Sequence, residues 1–380
     1  MLLITNKIYF KLIYTIKKKL QLLFKKFSYG LFKLIYGKIE QIETAHNNKE
    51  TEIKFSKISL YNYKVFSVNQ SRIYTDTIND TAIIQNNALI EGPSFQIRET
   101  VFENIKKNIV LNKGTSRIKK NINGTLFSLL TGGAGNFNYW HWLFDVLPRF
   151  KILQNVLDLK TIDFFLLPNL NKKFQKESLD LIGIPEAKRL SSLENRHIEC
   201  NKIIVTDHPY VIRNNASQEL LDLPEWIISW LKETLTKSLI LEDASFPKNI
   251  YIDRRDADPN IKVLRKILNE EEIIYKIKKK NYKIITLSNY SLTDQIKLFY
   301  NAKNIIGLHG AGFANVIFSK PNTNMLELKS SGAGKACENL ALKSNVNYDC
   351  LSVIPEKFSN NNQMGHIRIN IEEFENKVND

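Results

Sequence analysis

The chain of 380 residues has a formal net charge of +15, 43% hydrophobic and 11% aromatic residues, and only 15 glycines and 10 prolines. That length exceeds one typical core, the apolar content can fill two, and the sparse glycine and proline exclude a collagen-like or low-complexity chain. Three cysteines, Cys200, Cys337 and Cys350, are too few and too scattered for a disulfide framework or a zinc ribbon, which points to a reducing, cytoplasmic compartment.

The charge is concentrated at the start. Nine lysines and no acidic residue precede Glu40, so only +6 of the +15 belongs to the remainder. Within 1–40, Tyr14, Leu20, Leu23, Phe24, Phe27, Leu31, Leu34 and Ile35 recur at helical spacing, with Lys11, Lys18, Lys19, Lys25, Lys26 and Lys33 on the other side. This pattern predicts a basic amphipathic helix lying on an anionic membrane surface. Its apolar runs are too short to span a bilayer, and lysines interrupt any signal-peptide core. Docking on the chain's own body is the competing reading. Specific nucleic-acid binding is not expected, because the remaining basic excess carries no recognition motif.

Residues 41–60 read as a polar connector. A first domain over 61–219 opens with short β-type runs, at Ile58–Tyr61 and Thr81–Ile84, and then alternates, with strands expected at Phe164–Leu167 and Lys202–Thr206. Between them, Tyr139–Leu153 reads as one helix on which His141, Asp145 and Arg149, each four apart, share a face. A carboxylate beside an imidazole fixes its tautomer and raises its basicity, so His141 is the first candidate for a general base and Asp145 the second. A structural pair is the alternative. Thr131–Gly135, just before it, is a glycine-rich turn. From Leu220 to Leu241 a helix is expected, with Trp226 and Trp230 packing among Ile227, Leu231 and Leu235.

A second domain over 220–360 alternates regularly: a strand at Asn249–Ile252, a helix at Pro259–Glu272, a strand at Lys283–Leu287, a helix at Leu292–Tyr300, a strand at Asn304–Leu308, a helix at Phe313–Phe318 and a strand at Asn324–Leu328. Such alternation indicates parallel βαβ units, with ligands at the carboxyl ends of the strands. That edge carries Arg254, Arg255 and the turn His309-Gly310-Ala311-Gly312, whose amides at a helix start suit phosphate. Asp256 and Asp258 have the spacing of a metal-binding acidic pair, although a helix cap before Pro259 explains them more simply. Residues 361–380 form a C-terminal tail.

The order of these blocks carries a resemblance. Tyr251-Ile252-Asp253-Arg254-Arg255, then Arg265 with Leu268-Asn269-Glu270, then Ser291 with Gln295, then His309-Gly310-Ala311-Gly312 with Asn315, and finally Glu327 resemble the glycosyltransferase family 61 domain, and Asn138–Arg149 looks like that family's other motif. Asp253 departs from the usual serine, and Lys278-Lys279-Lys280 lengthens the following loop. The resemblance implies an α/β GT-B architecture, two Rossmann-like domains facing a cleft, and inverting transfer without a metal or other cofactor. The substrate is then a nucleotide sugar, expected to be UDP-linked, carrying a hexosyl or pentosyl group. Arg254, Arg255, His309, Gly310, Ala311, Gly312 and Glu327 would hold the donor, with Glu327 on the ribose hydroxyls. Arg149, Asn269 and Asn315 would support, Asn269 with Glu270 by bracing the arginine loop and Asn315 by capping or bracing the glycine turn. A lipid-linked or glycan acceptor of capsule or lipopolysaccharide assembly, on the inner face of the cell membrane, would fit the N-terminal helix. A non-catalytic membrane-surface scaffold is the reading from another class.

Overall fold

The computed structural model describes residues 2–75, 81–98, 100–133, 135, 138–254, 265–356 and 365–379. It is a mixed α/β protein with two main sheets, and a 2-stranded hairpin pairs Ile97–Arg98 with Val101–Phe102. The first sheet has 9 strands. Its parallel half runs through His197–Thr206, Lys120–Ser128, Phe164–Leu167 and Arg189–Ser191. The long strand Tyr61–Tyr74 joins it antiparallel to His197–Thr206 and leads into an antiparallel section at Ala82–Gln85 and Ala88–Glu91. The expected pure Rossmann-like sheet is therefore half replaced by antiparallel strands, as short hairpin turns between neighbouring runs allow.

Two sequence readings change here. Residues 41–60 are sheet edge and not a connector: Gln41–Thr44 pairs with Ala88–Glu91, and Thr51–Ile58 pairs in an antiparallel hairpin with Tyr61–Val68. The run Ile58–Tyr61 is the turn of that hairpin, with Ser59 at φ 53° and Leu60 exposed at the tip.

The second sheet is all parallel, with 5 strands in the order Lys283–Thr286, Asn249–Asp253, Asn304–Leu308, Asn324–Ser330, Asn347–Val353. Chain order thus reverses between Asn249–Asp253 and Asn304–Leu308, and the crevice at the carboxyl ends of strands flanking such a reversal is where open α/β sheets bind ligands. Most expected elements of this half lie within a residue or two of the observed ones. The helix expected from Pro259 begins at Glu270 among the described residues, so Lys278-Lys279 end that helix and do not lengthen a loop. The helix expected from Leu220 starts at Glu225, after Pro224, and buries Trp226 and Trp230. The stretch 365–379 is no free tail: Ile367, Ile369 and Phe374 are buried beside Ile273 and Ile277.

One apolar cluster joins the two halves, containing Phe127, Trp142, Phe150 and Phe165 of the first together with Leu231, Ile250, Phe313 and Phe318 of the second. Each such burial contributes about 1.5–3 kcal/mol, whereas a half-exposed pair such as Lys276–Glu375 at 3.0 Å contributes at most about 1 kcal/mol. The core, not surface charge, fixes how the sheets meet.

The N-terminal helix Leu2–Tyr36 is 35 residues, about 50 Å long at 1.5 Å per residue. Tyr14–Phe27 are exposed throughout, so this stretch of the helix does not lie along the body. Among the described side chains, those of its last turns dock. Lys33 Nζ donates to the Asn112 carbonyl at 2.7 Å, Tyr36 packs edge-on to His197, and Arg72 donates to the Tyr36 carbonyl at 3.1 Å. Phe32, Lys33 and Tyr36 lie on the face opposite Leu20, Leu23, Phe27, Leu31 and Leu34, so the apolar stripe points away from the protein. Among the described residues, no helix is long and apolar enough to cross a membrane.

Candidate active site

The first chemical group sits on a distorted helix. The single helix expected over Tyr139–Leu153 is an α-turn at Tyr139–His141, a π-turn at Trp142–Val146 and an α-helix at Pro148–Gln154. Proline has no N–H and crowds the carbonyl four residues back, so the ladder shifts and Leu147 N–H donates to Trp142 O at 3.2 Å. Asn138 starts the turn by accepting from Trp140 N–H at 2.9 Å.

The π-turn keeps His141 and Asp145 together and sends Arg149 elsewhere. His141 Nδ1 lies 3.0 Å from Asp145 Oδ2. Asp145 Oδ1 accepts from the Tyr210 hydroxyl at 2.8 Å, and His208 Nε2 lies 3.8 Å from Oδ2. Asp145 is buried, while the His141 side chain keeps 27% of its surface exposed. Burial opposes charge on both groups, yet the pairing outweighs it. The Asp145 carboxyl is held well below the usual range by the neighbouring His141, and His141 is raised above its ordinary value by the Asp145 charge and hydrogen bond. Since Asp145 accepts from Nδ1–H, the lone pair of His141 is on Nε2, free to take a proton. Arg149 is fully buried and donates to the Leu130 carbonyl at 2.6 Å and to Thr206 Oγ1 at 2.9 Å. It ties two strand ends and does not share the site face that the spacing suggested.

The second group lies at the reversal point of the parallel sheet. Asn304–Leu308 ends in His309, and Gly310 leads into the 3-10 helix Ala311–Phe318. Arg254, following Asn249–Asp253, donates from Nη1 to the His309 carbonyl at 2.5 Å. A Cβ on Gly310 would collide with that guanidinium, so the glycine is what lets the arginine lie across the turn. Arg265 stands in the same place, its charge acting on Arg254, Cys337 and Glu327, and burial lowers its pKa to about 10. Its Nε and Nη1 are buried and have no hydrogen-bond partner among the described residues. Two guanidinium groups side by side repel unless an anion sits between or beside them. Sequence reasoning placed Arg265 in a motif without giving it a role; only its unpaired buried nitrogens reveal one. Arg255, Asp256 and Asp258 lie outside the described residues.

Glu327 departs from its expected place on the ribose. It is fully buried, its Oε1 makes a short hydrogen bond with His309 Nδ1, and its Oε2 accepts from the Tyr348 hydroxyl at 2.6 Å, with Lys329 Nζ at 3.5 Å. A carboxylate so enclosed orients His309 and does not reach a ligand. Cys337 Sγ lies 3.7 Å from the same His309 nitrogen, and burial pushes its thiol up, which keeps it protonated and unreactive. The ligand atoms of His309, Glu327 and Cys337 fall within 4.8 Å of one another, a set chemically able to hold a soft metal. Lys329 and Arg265 already place two cations beside it, which opposes a third. Asn269 exchanges hydrogen bonds with the Ile369 backbone at 2.9 and 3.0 Å, and Glu270 accepts from the Tyr251 hydroxyl at 2.8 Å. The loop they were expected to brace lies largely outside the described residues.

The glycine turn and the His141 helix adjoin. Asn315, buried in the 3-10 helix, accepts from the Tyr139 hydroxyl at 2.6 Å. The chain therefore joins an imidazole held by a carboxylate to an amide-and-guanidinium turn chemically suited to an anion, an arrangement able to serve transfer of a group away from an anionic leaving group. Residues 139–326, which span both features, match the family model described as Glycosyltransferase 61, and the match supports membership of that family. The protein is a glycosyltransferase. No curated protein matches the chain.

Proposed function

We propose that the protein is an inverting, metal-independent glycosyltransferase that moves a hexosyl or pentosyl group from a UDP-linked sugar to a lipid-linked or glycan acceptor. The observation that carries this reading is the His141–Asp145 pair on an element hydrogen-bonded to the glycine turn beside Arg254. Inversion needs one base that deprotonates the acceptor hydroxyl as it attacks the anomeric carbon opposite the departing diphosphate; His141 Nε2 is that base, and Asp145 holds its tautomer and stabilises the imidazolium. Arg254, Arg265, Arg255 and the amides of Gly310–Gly312 receive the negative charge that builds on the diphosphate. Fixed dipoles and guanidinium groups can stabilise that charge without a metal. The two-sheet arrangement supports a GT-B architecture.

The exposed, outward-facing stripe from Tyr14 to Ile35 supports attachment to an anionic membrane surface. Its apolar residues are unpacked and its lysines complement acidic headgroups. A lipid-linked acceptor on the inner face of a cell membrane, as in capsule or lipopolysaccharide assembly, fits an enzyme held there.

Titration calorimetry with UDP, GDP, CMP and their sugar conjugates, with and without EDTA, tests the reading. Micromolar binding of one nucleotide that survives EDTA is expected. Binding that requires a divalent ion transfers the diphosphate role to Asp256 and Asp258, and no binding to any of them leaves a non-catalytic scaffold.

A further inference from the structure

Tyr139 stands two residues before His141, at the first position of its helical turn. Its hydroxyl meets Asn315 Oδ1, and the same asparagine donates through Nδ2 to the Gly312 carbonyl at 3.3 Å and to Gln295 Oε1 at 3.1 Å. The polarity of this chain is determined. Gln295 Nε2 donates to the carbonyls of Leu287 at 3.0 Å and Tyr290 at 3.3 Å, so its oxygen must face Asn315. Asn315 must therefore present its amide nitrogen to Gln295 and its oxygen to Tyr139, and the tyrosine is the donor. Burial keeps the Tyr139 phenol protonated, and its ring sits edge-on to Phe174 with centroids 5.0 Å apart.

We propose that Tyr139 is a positioning residue for transfer: through Asn315 it ties the turn that holds the leaving diphosphate to the turn that carries the base. This rests on the roles given above to His141 and the glycine turn. Asn315 and Gln295 belong to the second sheet's half and Tyr139 to the first, so this hydrogen bond fixes a separation across the two halves that neither sets alone. In-line displacement is sensitive to that separation, because a misplacement of about 1 Å costs on the order of a hundredfold in rate. Asn315 is buried and fully paired within the protein, so its part is to carry position and not to touch substrate.

Tyr139→Phe in the full chain keeps the ring and its contact with Phe174 and removes one hydroxyl. The measurement is hydrolysis of whichever sugar conjugate of UDP, GDP or CMP the unaltered protein turns over fastest, together with nucleotide Kd and thermal unfolding. The expected result is a fall in kcat of about tenfold or more, with Kd changed by less than about twofold and an unchanged acid limb of the pH profile, since Asp145 still holds His141. Asn315→Ala should lower kcat similarly, and the double variant should lose little more than either, because both interrupt one connection. Unchanged turnover in Tyr139→Phe overturns the proposal, as does a loss matched by weaker binding and a lower melting temperature. His141→Ala separates the two levels. If it is inactive while Tyr139→Phe is normal, only the positioning role fails; if His141→Ala is itself active, the base assignment fails first.

Discussion

The Asp145 carboxylate lies 3.0 Å from His141 Nδ1 and is itself buried, braced on its other oxygen by the Tyr210 hydroxyl. Both oxygens of the aspartate are thus engaged, one of them by the histidine, whose side chain keeps 27% of its surface exposed.

His141→Ala should reduce transfer by about a hundredfold to ten-thousandfold while leaving nucleotide binding intact. Steady-state rates alongside calorimetric Kd values check this. Wild-type turnover in the variant would remove the residue from the reaction.

The pH profile follows from the same pair. In the proposed role His141 can take a proton only when neutral, and its pKa is raised, so kcat should fall as pH drops through a value above the ordinary imidazole range. In Asp145→Asn the raising charge is gone. The acid limb should then move to lower pH while the maximal rate falls, because the tautomer is no longer enforced. An acid limb that stays put would show that another group controls it.

Donor affinity should depend on the crowded turn. Gly310→Ala puts a methyl group where the Arg254 guanidinium lies, and because that guanidinium is the end of a flexible side chain the arginine moves and the fold survives. A loss of about tenfold in nucleotide affinity is expected, as for removal of one charge-assisted contact. Arg265→Ala should do the same and, having removed two buried nitrogens without hydrogen-bond partners among the described residues and the repulsion with Arg254, should not lower the melting temperature. Unaltered affinity in both variants would place the diphosphate elsewhere.

Attachment of the N-terminal helix has its own acid sensitivity. His197, packed against Tyr36, has its pKa pushed down to about 4, first by burial and then by the charges of Arg72 and Lys119. The fold prefers its neutral form. Stability from this residue is therefore complete above about pH 6.5 and is lost as pH falls through that value toward 4. Denaturant unfolding of the native protein and His197→Gln across this interval should show a shallower pH dependence in the variant.

Vesicle sedimentation probes the helix itself. Replacing Leu20, Phe24 and Phe27 together with Asp should abolish binding to vesicles containing anionic lipid and leave nucleotide binding untouched. Retained sedimentation would locate the contact on another surface.

The second half of the molecule was legible from sequence because a parallel sheet buries both faces of its central strands. Asn304–Leu308 and Asn324–Leu328 read as short apolar runs whatever their neighbours do. The first half was less so, since Gln41–Thr44 and Thr51–Ile58 are edge strands whose exposed faces are polar and imitate a linker. Pairing of His141 with Asp145 followed from spacing alone. The diversion of Arg149 did not, because it depends on how the ladder yields before Pro148. Glu327 sat in a recognisable motif, yet motif position gave no sign that it turns inward, toward His309. Arg265 became visible only through what surrounds it.

The apolar cluster that runs from Phe127 to Phe318 without a break has a consequence for motion. Two lobes joined by so much shared hydrocarbon cannot swing apart like jaws without wetting it, a cost that opposes wide hinge opening. The same continuity makes the pair of sheets one cooperative unit, which should melt in a single calorimetric transition and not in two.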